Sequence, residues 1–231
     1  MKFNLTDLAN YFNDSAKNTK DVMANRYGAL GVDDTLVLYD KVVEEIDEIL
    51  DHPTNKSILD VGCGTGEILS RITRTCPESI GLEISIEMVR IVEGRGFAAL
   101  AYEGGTFPFK DNSFDIVLIY QVLINLPDAY SARNLLQEAS RVVRNGGRIL
   151  VGAVPHPTRS ALPTHAMALW KELRMKSHRI ISGAKSIPYY SYKYEFFGNL
   201  FDDFEFQSIE FLPCHIQVPA WQTKYHVLLV K

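Results

Sequence analysis

Apolar positions along the chain follow two rhythms. Around residues 58–61, 79–83, 97–102, 115–120 and 148–154 they stand next to one another, as in Ile116-Val117-Leu118-Ile119-Tyr120, the pattern of strands buried on both faces. Between these runs they recur at spacings of three and four. Val42, Val43, Ile46, Ile49 and Leu50 do so with Glu44, Glu45, Asp47 and Glu48 between them, and Leu135, Leu136, Ala139, Val142 and Val143 repeat the pattern. Helices are therefore expected over 35–50, from 67 to 72, over 86–93 and over 131–143. The carboxyl-terminal part changes character: a helix near 194–201, strict alternation over 204–211, and a last strand over 223–230, which together predict an antiparallel terminal pair on the edge of the sheet. Strands alternating with helices imply an α/β fold, a mainly parallel sheet with helices on both faces.

Punctuation sharpens the first unit. The strand 58–61 runs into Gly62, Gly64 and Gly66, with Cys63 and Thr65 between them, and Glu67 then opens the next helix near the positive end of its dipole. Strand, glycine turn and helix bring bare backbone against a nucleotide-like ligand at the carboxyl end of a strand. The spacing argues against a dinucleotide. Gly-x-Gly-x-x-Gly would require a third glycine at residue 67, where a pyrophosphate would instead meet the carboxylate of Glu67. The second strand ends on Glu83, 17 residues after Gly66 and near the interval at which an acidic side chain meets a ribose diol. Ser85 is placed to cap the helix that follows. Met88 in that helix either touches a nucleobase from below or packs in the core.

Composition narrows the class. With 231 residues, 46% of them hydrophobic and 23% charged, the chain suits one globular domain. A net charge of −4 gives no general attraction to nucleic acid. The amino terminus lacks a signal pattern, and the most apolar run, 116–126, is about half a membrane span. A cytoplasmic protein without membrane contact is expected. Three cysteines, Cys63, Cys76 and Cys214, have no metal-like spacing and fit reduced thiols, so no metal is expected. Leu212-Pro213-Cys214 superficially matches the Pro-Cys nucleophile of cytosine methyltransferases but lies far from where that motif would follow the fourth strand.

The run D-V-G-C-G-T-G (Asp60 to Gly66) resembles the first motif of class I S-adenosylmethionine-dependent methyltransferases. A second stretch, Glu103-Gly104-Gly105-Thr106-Phe107-Pro108-Phe109-Lys110-Asp111-Asn112-Ser113-Phe114-Asp115, resembles that family's G-D-A-x-x-L-P-F-x-D-x-S-F-D, and R-V-V-R-N-G-G-R-I-L-V matches a third. The resemblance is close over 57–152 and covers the rest by order of elements. It implies a Rossmann-like, seven-stranded fold of the small-molecule methyltransferase type, with S-adenosyl-L-methionine as cofactor and S-adenosyl-L-homocysteine as product. On this resemblance the cofactor-binding residues are Asp60, Gly62, Cys63, Gly64, Gly66, Glu83, Ile84, Met88, Glu103, Gly104, Gly105 and Gln121. Glu103 and the Gly104 amide take the adenine. Glu103 stands where the family has Asp, and Gln121 and Asn125 stand where similar proteins often carry Glu and His. Tyr27 or Arg26, in an amino-terminal lid, would reach the cofactor carboxylate, unless Tyr27 packs the lid on the domain.

One domain, 1–231, is thus expected: a helical lid (1–50), a cofactor-binding core (57–154), a substrate-specificity insertion (155–195), and a terminal helix and strand pair (196–231). The insertion holds seven basic residues against two acidic ones, a net +5. It is either a cationic cap selecting an anionic, phosphorylated or nucleotide-linked acceptor, or the solvated face of a helix over 166–181. His156, between Pro155 and Pro157 just beyond the fifth strand, is the first choice of base, with His165, His178 and His215 as alternatives. O-methylation of a small metabolite or sugar derivative by a monomer or homodimer is the expectation. N-methylation of an amine, or a non-catalytic cofactor-binding module, remains open.

Overall fold

The computed structural model describes residues 4–18, 32–157, 190–204, 206–216 and 224–231. Seven strands form one sheet in the order β3-β2-β1-β4-β5-β7-β6. They are β1 (Ile58–Val61), β2 (Ile80–Glu83), β3 (Ala99–Ala101), β4 (Phe114–Tyr120), β5 (Val143–Pro155), β6 (Ser208–Pro213) and β7 (Lys224–Val230). β7 alone is antiparallel to its neighbours. The helices are α1 (Leu5–Asn18), α2 (Val32–Ile49), α3 (Leu69–Ile72), α4 (Ile86–Gly94), α5 (Ala129–Val142) and α6 (Tyr194–Asp203), with a 3₁₀ turn at Leu123–Asn125. No helix among the described residues is long and apolar enough to cross a membrane.

The consecutive apolar runs behave as their pattern requires. All four residues of β1 are buried, and its alternate side chains supply two cores. On one face Leu59 and Val61 pack with Leu135, Leu136 and Ala139 of α5 and Phe197 of α6; on the other Ile58 packs with Val42 and Ile46 of α2 and Val89 and Val92 of α4. Each such side chain contributes about 1.5–3 kcal/mol by leaving water. From β1 the chain steps outward to β2 and β3, then returns to lay β4 on the other side of β1. That reversal opens the crevice at the carboxyl ends of β1 and β4 where ligands of such sheets bind.

Several boundaries differ from those the sequence suggests. α3 has only four residues, because the backbone from Gly66 to Ile68 is spent on turns, and its first position lacks a side-chain cap. The terminal antiparallel pair lies on the edge of the sheet as expected, with β7 against β5 and β6 outermost. The first six residues of β7 are all buried, whereas no residue of β6 is buried, as suits an edge strand. β6 also begins at Ser208, since Phe204 closes α6 and Phe206 enters the core. α5 is ended by Val143 turning extended, and Gly146 donates its amide to the carbonyl of Lys231 at 2.6 Å.

Side-chain ties explain the segment P-F-K-D-N-S-F-D. The guanidinium of Arg141 in α5 donates to the carbonyls of Phe107 (3.1 Å) and Phe109 (2.9 Å) and to Asp111 (2.7 Å). Its neighbour Glu138 accepts the Phe107 amide at 2.7 Å. Asp115 accepts the amide and hydroxyl of Ser57 at 2.9 and 2.8 Å, fastening the start of β4 to the start of β1. The motif is thus largely a fastening device that delivers the preceding loop to the sheet edge.

Candidate active site

The glycine turn sits at the crevice. Gly62, Gly64 and Gly66 have φ of +71°, +58° and +83°, the left-handed region that a β-carbon disfavours. At Gly62 there is also no space: a Cβ would lie 2.4 Å from Cγ2 of Val122, just past β4. The cradle is therefore shaped by what its residues lack. A ligand meets backbone there, as a nucleoside-bearing cofactor requires.

Glu83 ends β2 with only 5% of its surface exposed. Its two carboxylate oxygens each accept a backbone amide, Oε2 from Gly64 at 2.8 Å and Oε1 from Ser85 at 3.0 Å. The glycine turn and the carboxylate expected at the ribose thus form one unit. Ser85 caps α4, its hydroxyl accepting the Met88 amide at 3.2 Å. Met88 is buried, and Ile84 packs against the core. The amide of Tyr102 donates to the Glu83 carbonyl at 2.8 Å, so Glu103, Gly104 and Gly105 leave the sheet beside Glu83. Glu103 is exposed there. Burial first, then the Glu138 carboxylate, pushes the Tyr102 phenol up to about 12, and its hydroxyl stays a donor, to the Gly105 carbonyl at 2.6 Å.

At the end of β1 and β4, Asp60 and Tyr120 are buried beside Gly62 and Gln121 and line a cavity together with Tyr39 of α2. Gln121 holds φ +58°, and its amide donates to the Gly152 carbonyl at 3.1 Å. A non-glycine residue in that conformation at the exit of a central strand stores backbone strain. Asn125 donates to the Gln121 carbonyl at 3.3 Å. Cys63 is buried behind the turn, and burial first, then Asp60 and Glu83, raises its thiol well above the ordinary range. It is a packing thiol, not a nucleophile.

His156 follows the last residue of β5, and β5 runs on past Gly152, the residue paired with the end of β4. The imidazole is half-buried, its ring 4.7 Å from that of Tyr194 and 5.9 Å from that of Tyr225. The returning chain clamps the loop after β4: Tyr192 donates its hydroxyl to the Leu123 carbonyl at 3.2 Å and its amide to Pro155 at 2.9 Å. His215 is exposed on another connection, beside Glu45. Tyr27 and Arg26, His165 and His178, the helix expected over 166–181 and the cationic residues from Arg159 to Lys185 lie outside the described residues.

Two contributors escape the sequence patterns. Tyr39 shares the inward face of α2 with Val42 and Ile46, and so reads as core. Glu67, expected merely at a helix start, is buried between Arg71 (3.1 Å) and Arg95 (2.5 Å), while Arg71 also reaches Asp40 of α2 at 2.6 Å. This network ties α2 and the exit of α4 to the glycine turn. Only the unusual density of charge around the turn hints at it.

Residues 59–151 match a family model described as a methyltransferase domain. An uncharacterized protein of Methanocaldococcus jannaschii is 36% identical over 110 residues, 48% of this chain and half the length of that relative. A demethylmenaquinone methyltransferase of Tropheryma whipplei is 29% identical over 173 residues, 72% of this chain and 69% of that protein. Magnesium protoporphyrin IX methyltransferase from Synechocystis, solved with S-adenosylmethionine bound, shares the fold at a TM-score of 0.66 and 15% identity, with 98% of this chain and 97% of that one covered. With the glycine cradle, the carboxylate at the end of β2 and the seven-stranded order in place, residues 59–151 are similar to the methyltransferase domain of class I S-adenosylmethionine-dependent methyltransferases, and the chain shares their fold.

Proposed function

We propose that the chain methylates an oxygen of a small, anionic acceptor, a phosphorylated or nucleotide-linked metabolite or sugar derivative, with His156 as the base. The observation that carries this reading is the half-buried imidazole just past β5, beyond the end of β4, on the side of the sheet where the cofactor's methyl group belongs. S-adenosylmethionine supplies an electrophilic methyl with a good leaving group already attached. What remains for the protein is to hold the partners at near-attack distance, exclude water and remove the acceptor's proton.

In this scheme Glu83 accepts from the ribose hydroxyls, the Gly104 amide and Glu103 take the adenine, and Gln121 and Asn125 face the transferred methyl. The imidazole of His156, aimed by Tyr194 and Tyr225, accepts the hydroxyl proton as the new bond forms. The net +5 of residues 155–195 supports an anionic acceptor. The reading carries with it a cytoplasmic location and action as a monomer or homodimer.

The extended similarity to demethylmenaquinone methyltransferases favours a second acceptor class, a ring carbon of a hydroxylated aromatic. The same base would serve, since deprotonating the hydroxyl raises the electron density of the ring. Methyl-labelled cofactor incubated with sugar phosphates, nucleotide sugars and a water-soluble demethylated quinol, with products read by mass spectrometry, separates the two. Label on oxygen supports the first reading and label on ring carbon the second. In either case His156→Ala should lower turnover at least about 100-fold with cofactor affinity kept; wild-type turnover removes His156 as the base.

A further inference from the structure

We infer that Asn13 of α1 is a positioning residue for the cofactor site: it holds the proton of the Ser85 hydroxyl away from Glu83, and so couples docking of the amino-terminal helix to cofactor binding. The inference rests on the reading of Glu83 as the ribose carboxylate.

The contact is specific. Oδ1 of Asn13 accepts the Ser85 hydroxyl at 2.8 Å and the Glu87 amide at 3.3 Å, both at the amino-terminal end of α4. Ser85 is 0% exposed. Its hydroxyl already accepts the Met88 amide, so its single proton must go to an acceptor. The acceptor it takes is Asn13, while the amide of this same serine donates to Oε1 of the Glu83 carboxylate at 3.0 Å. With Asn13 in place the proton is committed to α1. With Asn13 withdrawn, the hydroxyl can rotate onto Glu83, where it competes with the ribose hydroxyls for the carboxylate oxygens.

α1 is seated to act this way. Leu8 is buried in the core shared with Leu82 and Phe107, so the helix is anchored beside β2. Leu5 lies against Gly104, where a Cβ would come within 2.7 Å of its Cδ1, and Lys17 pairs with Glu87 at 3.7 Å. One helix therefore touches the loop expected at the adenine and the serine next to the ribose carboxylate. By linkage, whatever α1 adds to cofactor affinity the cofactor returns to α1 docking.

The test uses the full chain and calorimetric titration with S-adenosylhomocysteine and its 2′-deoxy and 3′-deoxy analogues, on wild type, Asn13→Ala, Asn13→Asp and Glu83→Ala. The wild type should prefer the intact ribose about tenfold or more, the value of a hydrogen bond to a charged group. Asn13→Ala should bind S-adenosylhomocysteine about tenfold more weakly and discriminate the deoxy analogues less than about threefold. Asn13→Asp keeps the acceptor oxygen and should stay near wild type. Loss of helix packing alone would weaken all three ligands equally, and that result overturns the inference, as does wild-type behaviour of Asn13→Ala. Unchanged affinity in Glu83→Ala overturns the ribose assignment itself, and the inference with it. Amide exchange in residues 5–18 gives the reciprocal readout: S-adenosylhomocysteine should slow it in the wild type and much less in Asn13→Ala.

Discussion

Gly62 at the exit of β1 and Val122 just past β4 leave no room between them for a methyl group, since a Cβ at position 62 would lie 2.4 Å from Cγ2 of Val122. The two strands that frame the crevice are thus in contact through a glycine and a valine at its mouth. Gly62→Ala faces two separable costs, about 1–2 kcal/mol for a β-carbon at φ +71° and the clash with Val122. Gly62→Ala should therefore lose stability in urea melts and bind S-adenosylhomocysteine weakly. Adding Val122→Ala should restore part of the stability, because it relieves the clash and not the backbone strain. A double variant no more stable than Gly62→Ala would show that the valine yields freely.

Glu83→Ala should abolish most cofactor affinity while the sheet stays intact. It removes the acceptor of the Gly64 and Ser85 amides as well as the expected partner of the ribose, so the loop loses its brace along with its ligand contact. Glu83→Gln keeps one acceptor oxygen and should fall between. Calorimetry with S-adenosylhomocysteine, beside circular dichroism for the fold, checks both.

Much of this unit was legible because its determinants are local. Glycine spacing, the acidic residue at the end of β2 and the Ser85 cap each follow from a few consecutive residues. Features built from distant segments were not legible. Asn13 meeting Ser85, Arg141 gripping the Phe107 carbonyl and Glu67 caught between two arginines depend on which helix faces lie together, and a single Asn or Arg on a helix carries no mark of its partner. The order within the terminal pair, β7 against β5 and β6 outermost, belongs to the same class. The uninterrupted burial of β7 argues for an interior strand, but the polar Lys224 and His226 disguise it.

Arg141 should matter for stability more than its partly exposed position suggests. It donates to two backbone carbonyls and two carboxylates, and the carboxylates, Glu138 before Asp111, raise its pKa. Arg141→Met, which keeps the aliphatic stem, should cost about 1–3 kcal/mol in chemical denaturation and loosen the loop that carries Glu103. A loss below about 0.5 kcal/mol would show that the loop is held by its aromatic packing alone, Phe109 on Phe114 and Tyr102 on Phe107.

Acid should release the tie between β1 and β4. Burial raises the carboxyl of Asp115, but the Ser57 amide and hydroxyl and the Arg144 guanidinium more than offset it, leaving the pKa below the ordinary carboxylate value. A folded-state pKa below the unfolded one means that the ionised form favours folding. Its contribution is complete above the ordinary aspartate range, near about pH 4, and is lost as the pH falls through the folded value. Glu45 behaves alike, with burial outweighed by His226 and the His215 amide. Thermal melts should therefore fall steeply below about pH 4, and Asp115→Asn should flatten that fall while lowering stability at neutral pH. An unchanged acid slope would remove Asp115 from the list of titrating groups that matter.

Glu45 and His226 give the sharpest stability test, because the pair is fully inside. His226 is 0% exposed, its Nδ1 accepts the Ala153 amide at 3.3 Å, and its Nε2 lies 3.2 Å from Oε2 of Glu45, at ion-pair distance but outside hydrogen-bond geometry. The same carboxylate accepts the His215 amide at 2.5 Å, with the Cys214 thiol 3.9 Å away. Among the described residues this is the one group of three metal-ligand types close enough to share an ion. His226→Leu strands an ionised carboxylate among apolar neighbours and should cost about 3–5 kcal/mol, whereas Glu45→Gln/His226→Leu removes the charge and should cost less than the sum of the single changes. A double-mutant cycle in urea reads the coupling directly. Additive losses would mean that Glu45 is held by the His215 amide and that the imidazole merely fills space beneath Tyr120, whose ring centroid lies 5.9 Å away.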